Sequence, residues 1–188
     1  MKKIAILGGT FNPPHLGHLI IASEVQAQFN FDEIWFMPNQ DPPHKESTFG
    51  VSSAQRLEMV RRAVADNPLF KIQTIELERT GRSYTFDTMK LLTEKYDDDF
   101  YFIIGADMIE YLPKWYKIEE LVKLVNFVGV NRPDYDKQST YPIIPVDVPN
   151  IEISSCMIRE KVKMGKNIRY FVPKTVMEYI EENGLYET

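Results

Sequence analysis

One cysteine and three histidines are all that this 188-residue chain offers of the side chains that build disulfides and soft-metal sites. A lone Cys156 excludes an internal disulfide and fits a reducing compartment. Positive charge is scarce as well: 22 Lys and Arg face 27 Asp and Glu, for a net charge of −5. Without a basic field, a general nucleic-acid or membrane-surface role is excluded, so any anionic ligand must be held by local donors. No apolar run approaches the roughly 20 residues that cross a bilayer. The N-terminus enters a strand at once, with no cleavable signal pattern. Repeats and low-complexity linkers are missing too. These absences lead to the expectation of a soluble cytoplasmic protein that binds neither nucleic acid nor membrane.

Against that background, 44% hydrophobic and 12% aromatic residues suit a globular fold, expected as one domain over residues 1–188. Continuous apolar runs occur at 4–7, 34–37, 70–77 (partly alternating), 100–104 and 127–130. Runs this length, rich in Val, Ile and Phe, suit strands covered on both faces. Between them lie helical patterns. Leu16, Leu19, Ile20 and Ala27 mark a stripe after the first strand. Ser52 and Gln55 form a capping box, continued by Leu57, Val60, Arg61 and Val64. Further helices are expected at 85–96, 118–124, 154–164 and 173–183, the last opened by Pro173 and closed by Gly184. The alternation predicts an α/β fold: a doubly wound, Rossmann-like parallel sheet with a small helical C-terminal region.

In open α/β sheets, ligands bind beyond the carboxyl ends of the strands. The exits here are Gly8-Gly9-Thr10, the loop from Asn39 to His44 and Lys45, residues 79–85, Gly105-Ala106-Asp107, and Asn131-Arg132. Almost every exit carries glycine, a cation or a hydrogen-bonding side chain, so five segments are expected to meet at one crevice. The first is the richest. After Gly8-Gly9-Thr10-Phe11-Asn12-Pro13-Pro14 a helix opens with His15 and His18. Glycines admit a close backbone approach, and a helix N-terminus presents unpaired N–H groups to an anion. Two imidazoles add donors, which describes a phosphate-handling site. The segment lacks a P-loop lysine and the spacing of a dinucleotide fingerprint, and a zinc site has too few partners nearby.

Other motifs carry two readings each. Pro42 and Pro43 stiffen the loop bearing His44 and Lys45, which is either a substrate loop or a solvated one. Asp107 either completes a helix cap at Gly105 or meets a ligand. Trp115-Tyr116 is either buried core or a surface on which an aromatic ring stacks. Arg132 is an anion clamp or an ion-pair residue. Ser154, Ser155 and Arg159 supply donors at a helix start, for phosphate or for capping alone. Cys156 has no histidine beside it and reads as packing.

Residues 8–18 resemble the first signature of nucleotidyltransferases that carry an HxGH motif, and Ser154-Ser155-Cys156-Met157-Ile158-Arg159 resembles their second. The 38–45 loop, the Gly105-Ala106-Asp107 turn and Trp115-Tyr116 make the whole chain similar to the bacterial nicotinate-nucleotide adenylyltransferases. Cys156 departs from the threonine common in that family. The resemblance implies adenylyl transfer from ATP to nicotinate mononucleotide, giving deamido-NAD and pyrophosphate by direct in-line attack. By the same resemblance, His15, His18 and Arg159 are catalytic. Gly8, Gly9, Thr10, Phe11, Gly105, Asp107, Ser154, Ser155 and Ile158 join them in binding ATP. Asn39, His44, Lys45, Thr85, Trp115, Tyr116 and Arg132 lie on the acceptor side. Mg2+ arrives with ATP, no dedicated metal site being visible, and a homodimer is allowed. Pantetheine-phosphate adenylyltransferases and cytidylyltransferases of the same fold are the neighbouring alternatives. A non-catalytic nucleotide-binding module is the alternative from another class.

Overall fold

Six parallel strands form one sheet in a computed structural model that describes residues 1–40, 50–80, 83–131 and 139–187. In chain order the strands are β1 (Lys3–Gly9), β2 (Glu33–Pro38), β3 (Phe70–Ile72), β4 (Asp99–Gly105), β5 (Asn126–Asn131) and β6 (Ile143–Asp147). The helices are α1 (Leu16–Phe29), α2 (Ser53–Val64), α3 (Thr85–Lys95), α4 (Ala106–Ile109), α5 (Ile118–Leu124), α6 (Ser155–Lys163) and α7 (Lys174–Glu182). Strand order is β3-β2-β1-β4-β5-β6, so the winding reverses between β1 and β4. This is the doubly wound arrangement expected from the alternation.

Side chains of β1 divide between the two faces, as a strand's period of two requires. Ala5 and Leu7 pack with Ala22, Val25, Met59, Val60, Val176 and Ile180, so α1, α2 and α7 cover one face. Ile4 and Ile6 pack with Met89, Leu92, Ile118 and Leu121, so α3 and α5 cover the other. Among the described residues no helix is long and apolar enough to cross a membrane.

Four details differ from the sequence expectation. The run at 70–77 gives a strand only to Ile72, because the carbonyl of Thr74 takes the amides of Leu77 (2.8 Å) and Glu78 (3.2 Å) and turns the chain. Strand β6 carries Pro145, which masks it in sequence and is tolerated because β6 is an edge strand. Helix α1 buries Gly17, Ala22 and Val25 rather than the stripe of Leu16, Leu19, Ile20 and Ala27. Its apolar residues run round too much of the helix for periodicity to choose a face. Helix α2 has the expected cap, Ser52 Oγ accepting from the Gln55 amide, but Arg61 is exposed and Arg56 is fully buried instead.

Candidate active site

The sheet opens at the point where its winding reverses. Strand β1 pairs with β2 as far as Gly9↔Pro38, but its pairing with β4 ends at Leu7↔Ile103. Gly8-Gly9 and Ile104-Gly105 therefore diverge and leave a crevice between them. Phe102 lies against this opening, and a Cβ on Gly8 would sit 3.2 Å from its Cζ. Phe11 then turns the chain at φ 51° and buries its ring edge-on to His18, with centroids 5.0 Å apart.

His15 caps α1 with extended backbone (φ −143°). Its amide donates to Nδ1 of His18 at 3.1 Å, and the two rings stack 3.7 Å apart. An Nδ1 that accepts leaves the proton of a neutral imidazole on Nε2, so His18 presents a donor there. Burial lowers His15 to about 4, and burial together with His15 lowers His18 to about 3. Both rings are therefore neutral donors in the free protein. Negative charge placed beside these rings would oppose that shift, because an anion next to an imidazole favours its protonated form.

The loop from Thr10 to Pro13 is gripped from behind, carbonyl by carbonyl. Arg56, fully buried, donates Nη1 to the Thr10 carbonyl (2.7 Å) and Nη2 to that of Asn39 (2.9 Å). Arg159 Nη1 reaches the Asn12 carbonyl at 2.8 Å, and Ser155 Oγ reaches that of Pro13 at 2.8 Å. Ser154 Oγ accepts from the Met157 amide at 3.2 Å and so caps α6. The second signature thus has a use that sequence does not show: it holds the first signature in place.

Three clefts join around this loop. One, of about 380 Å³, is lined by His15, His18, Gly105, Asp107, Ser154 and Ser155, with an apolar wall that includes Ile20, Ile21, Ile151 and Ile153. A second joins Thr10, Phe11 and His18 to Ser155, Cys156 and Arg159. A third, of about 430 Å³, runs from Gly8, Gly9 and Thr10 past Asn39 to Thr85 and Trp115. His18 is common to the first and second, Thr10 to the second and third, and Gly105 to the first and third. The volumes suit ligands of nucleotide size.

Most expected site residues come together in these clefts. Gly105 is the N-cap of α4, and a Cβ there would fall 2.7 Å from Asp107 Oδ1. Asn39 Nδ2 reaches Thr10 Oγ1 at 3.3 Å, while its buried Oδ1 has no protein partner among the described residues. Trp115 packs edge-on to Phe102 and Phe127, as the core reading expects, and it also lines the third cleft. Two residues depart from expectation. Ile158 is fully buried in the core and lines none of these clefts, since α6 needs an apolar anchor there. Tyr116 is 44% exposed and packs outside the third cleft against Tyr84, the rings tilted and their centroids 4.6 Å apart. His44, Lys45 and Arg132 lie outside the described residues.

Sequence reasoning missed Arg56, because a charge within an amphipathic helix reads as solvent-facing. It also missed Glu76, which is 6% exposed and lines the third cleft. Thr88 Oγ1 donates to Glu76 Oε1 at 2.9 Å and in turn accepts from Arg79 Nη1 at 3.1 Å. Burial raises the Glu76 carboxyl, opposed by Thr88 and Arg79. Ser83 lines the same cleft, and its buried hydroxyl has no protein partner among the described residues.

A family model described as cytidylyltransferase-like matches residues 6–161. The nicotinate-nucleotide adenylyltransferase of Bacillus subtilis (strain 168) is 55% identical over 189 residues, covering 100% of both chains. The chain belongs to the nicotinate-nucleotide adenylyltransferases of this family. It is an enzyme, a nucleotidyltransferase of NAD biosynthesis with a Rossmann-like fold. A probable family member from Enterococcus faecalis is 54% identical, over 99% of this chain and 85% of its own length. Among solved structures, the Plasmodium falciparum nicotinic acid mononucleotide adenylyltransferase complexed with NaAD matches with TM-score 0.81 at 21% identity, over 100% and 98% of the two chains. That likeness concerns the fold. A protein from Vibrio parahaemolyticus described as a nicotinate-nucleotide adenylyltransferase matches with TM-score 0.72 at 25% identity, over 99% and 96%.

Proposed function

We propose that the enzyme transfers the adenylyl group of ATP to nicotinate mononucleotide, giving deamido-NAD and pyrophosphate. A phosphate oxygen of the mononucleotide attacks the α-phosphorus. The bond from that phosphorus to the bridging oxygen breaks, and pyrophosphate leaves with the electron pair. The observation that carries this reading is the meeting of three clefts at His18, Thr10 and Gly105. In-line transfer needs the attacking oxygen and the leaving pyrophosphate on opposite sides of the α-phosphorus, and clefts that share lining residues support a reading in which adenosine, polyphosphate and acceptor converge on one phosphorus.

The apolar-walled first cleft takes the adenosine, with Gly105 and Asp107 beside its ribose. The ATP phosphates extend toward His15, His18, Ser155 and Arg159. The third cleft takes the mononucleotide, with Trp115 against the pyridine ring and Thr85 and Asn39 supplying polar contacts. No nucleophile of the protein takes part. His15 and His18 act as fixed donors to charge developing on the phosphates, which is how a preorganised site lowers a barrier. Mg2+ enters as the counter-ion of ATP and so belongs to the substrate.

Pyrophosphate release from Mg-ATP tests the reading, with nicotinate mononucleotide, nicotinamide mononucleotide and phosphopantetheine compared as acceptors. Release with the first alone is expected. Release with either of the others instead reassigns the third cleft. No release from folded protein that binds ATP favours a nucleotide-binding module. His18→Ala should lose on the order of 10²-fold or more in turnover while ATP still binds; full turnover in that variant removes His18 from the mechanism.

A further inference from the structure

Past α7 the chain returns to the loop that precedes α1. Leu185 is 6% exposed, and its amide donates to the Ile180 carbonyl at 3.0 Å, fixing the tail. Tyr186 follows in left-handed backbone (φ 67°) and is 5% exposed. Its hydroxyl donates to Oδ1 of Asn12, itself 3% exposed, and lies 3.9 Å from Sδ of Met59. Burial raises this phenol, and Arg159 and Arg56 only partly oppose it. The hydroxyl therefore remains a donor at any working pH. Asn12 lines the second cleft between Phe11 and His18, and its carbonyl is the one held by Arg159.

We propose that Tyr186 is a positioning residue for the reaction: its hydroxyl locks the Asn12 side chain and, through it, the loop that sets Thr10, His15 and His18 against the reacting phosphate. With Oδ1 accepting from the phenol and the backbone carbonyl accepting from Arg159, both the side chain and the main chain of Asn12 are tied down. The tail lies 25 residues beyond the stretch that the family model matches, which ends at residue 161. The inference rests on the functional reading above, which makes this loop part of the phosphate site.

Tyr186→Phe keeps the ring and removes only the hydroxyl. Met59→Leu disturbs packing at the same buried spot and leaves the bond to Asn12 intact. Below the melting point of each variant, Y186F is expected to lose about tenfold in kcat with both KM values within threefold. M59L is expected to stay within twofold in kcat. A Y186F enzyme within twofold of the parent kcat overturns the proposal, as does an equal loss in M59L. A second readout needs no turnover: imidazole 15N resonances of His15 and His18 should move in Y186F and stay in M59L. Unmoved resonances in Y186F sink the positioning role even if the parent releases no pyrophosphate, whereas absent turnover in the parent with moved resonances counts against the functional reading alone.

Discussion

Replacing Gly17 by alanine should separate stability from activity. Gly17 lies in the first turn of α1, between the two histidines, and is buried. A Cβ there would stand 3.0 Å from His15 Nδ1 and 3.1 Å from Cε1, with the Ile153 carbonyl at an ordinary 3.8 Å. Ordinary contact begins near 3.4 Å, so the imidazole must retreat by 3.4 − 3.0, or about 0.4 Å. It cannot do so alone, because its other face stacks on His18 at 3.7 Å. The helix itself gains, since alanine is better than glycine by roughly 0.8–1 kcal/mol in a helix interior. Overpacking costs about 1–3 kcal/mol, so a net loss of about 0–2 kcal/mol remains and Tm should fall by no more than about 8 °C. Turnover should not be spared. A displacement of 1 Å costs on the order of 10²-fold, so one of about 0.4 Å should cost about tenfold in kcat. Thermal melts and steady-state pyrophosphate release on the same preparation test the pair of effects. A G17A enzyme with kcat within twofold of the parent would refute the claim that this glycine makes room for the His15 ring.

Arg56→Met should lower stability by about 2–4 kcal/mol, because two charge-assisted bonds to the Thr10 and Asn39 carbonyls are lost while exposed Thr10 recovers water. For a chain this size that is a fall in Tm of about 5–15 °C, and a fall under 2 °C would contradict the clamp. Proton NMR of the imidazoles should show His15 and His18 still neutral at pH 5, since their values are lowered to about 4 and about 3. The unfolded chain takes up protons below pH 6.5 and the folded one does not, so these two groups make stability decline as pH falls from about 6.5 to about 4 for His15 and to about 3 for His18. Either ring titrating near 6.5 in the free enzyme would contradict the packing described. Cys156 is exposed and lines the second cleft, so a bulky maleimide should block turnover and saturating ATP should protect it, whereas Cys156→Ser should retain most activity. Unchanged turnover after complete labelling would place the thiol outside the phosphate path.

Much of this enzyme is legible in its sequence. Buried parallel strands need unbroken apolar runs, so β1, β2, β4 and β5 stood out, and the helices between them fixed the winding. Motif chemistry was equally local: glycines at a strand exit and histidines at a helix start lie within one stretch of chain. Strand β6 stayed hidden because Pro145 is tolerated only at an edge, and which strand is an edge depends on the whole sheet. The face of α1 was misread for a similar reason, as only the packed sheet decides which of its apolar residues meet the core and which line a cleft.

What sequence could not hold was the set of contacts between distant segments. Arg56 touches Thr10 from 46 residues away, Arg159 touches Asn12 from 147, and Tyr186 touches Asn12 from 174. No periodicity or motif encodes such pairs; each exists because the sheet brings α2, α6 and the C-terminal tail to the same side of one loop. The sequence by itself determined the sheet's winding and the residue types at the strand exits, because those are properties of short stretches. The tertiary structure alone decided that Ser155 and Arg159 brace the loop as well as facing the cleft, that Ile158 belongs to the core, and that Tyr116 stands outside, because burial and partnership are properties of the folded whole.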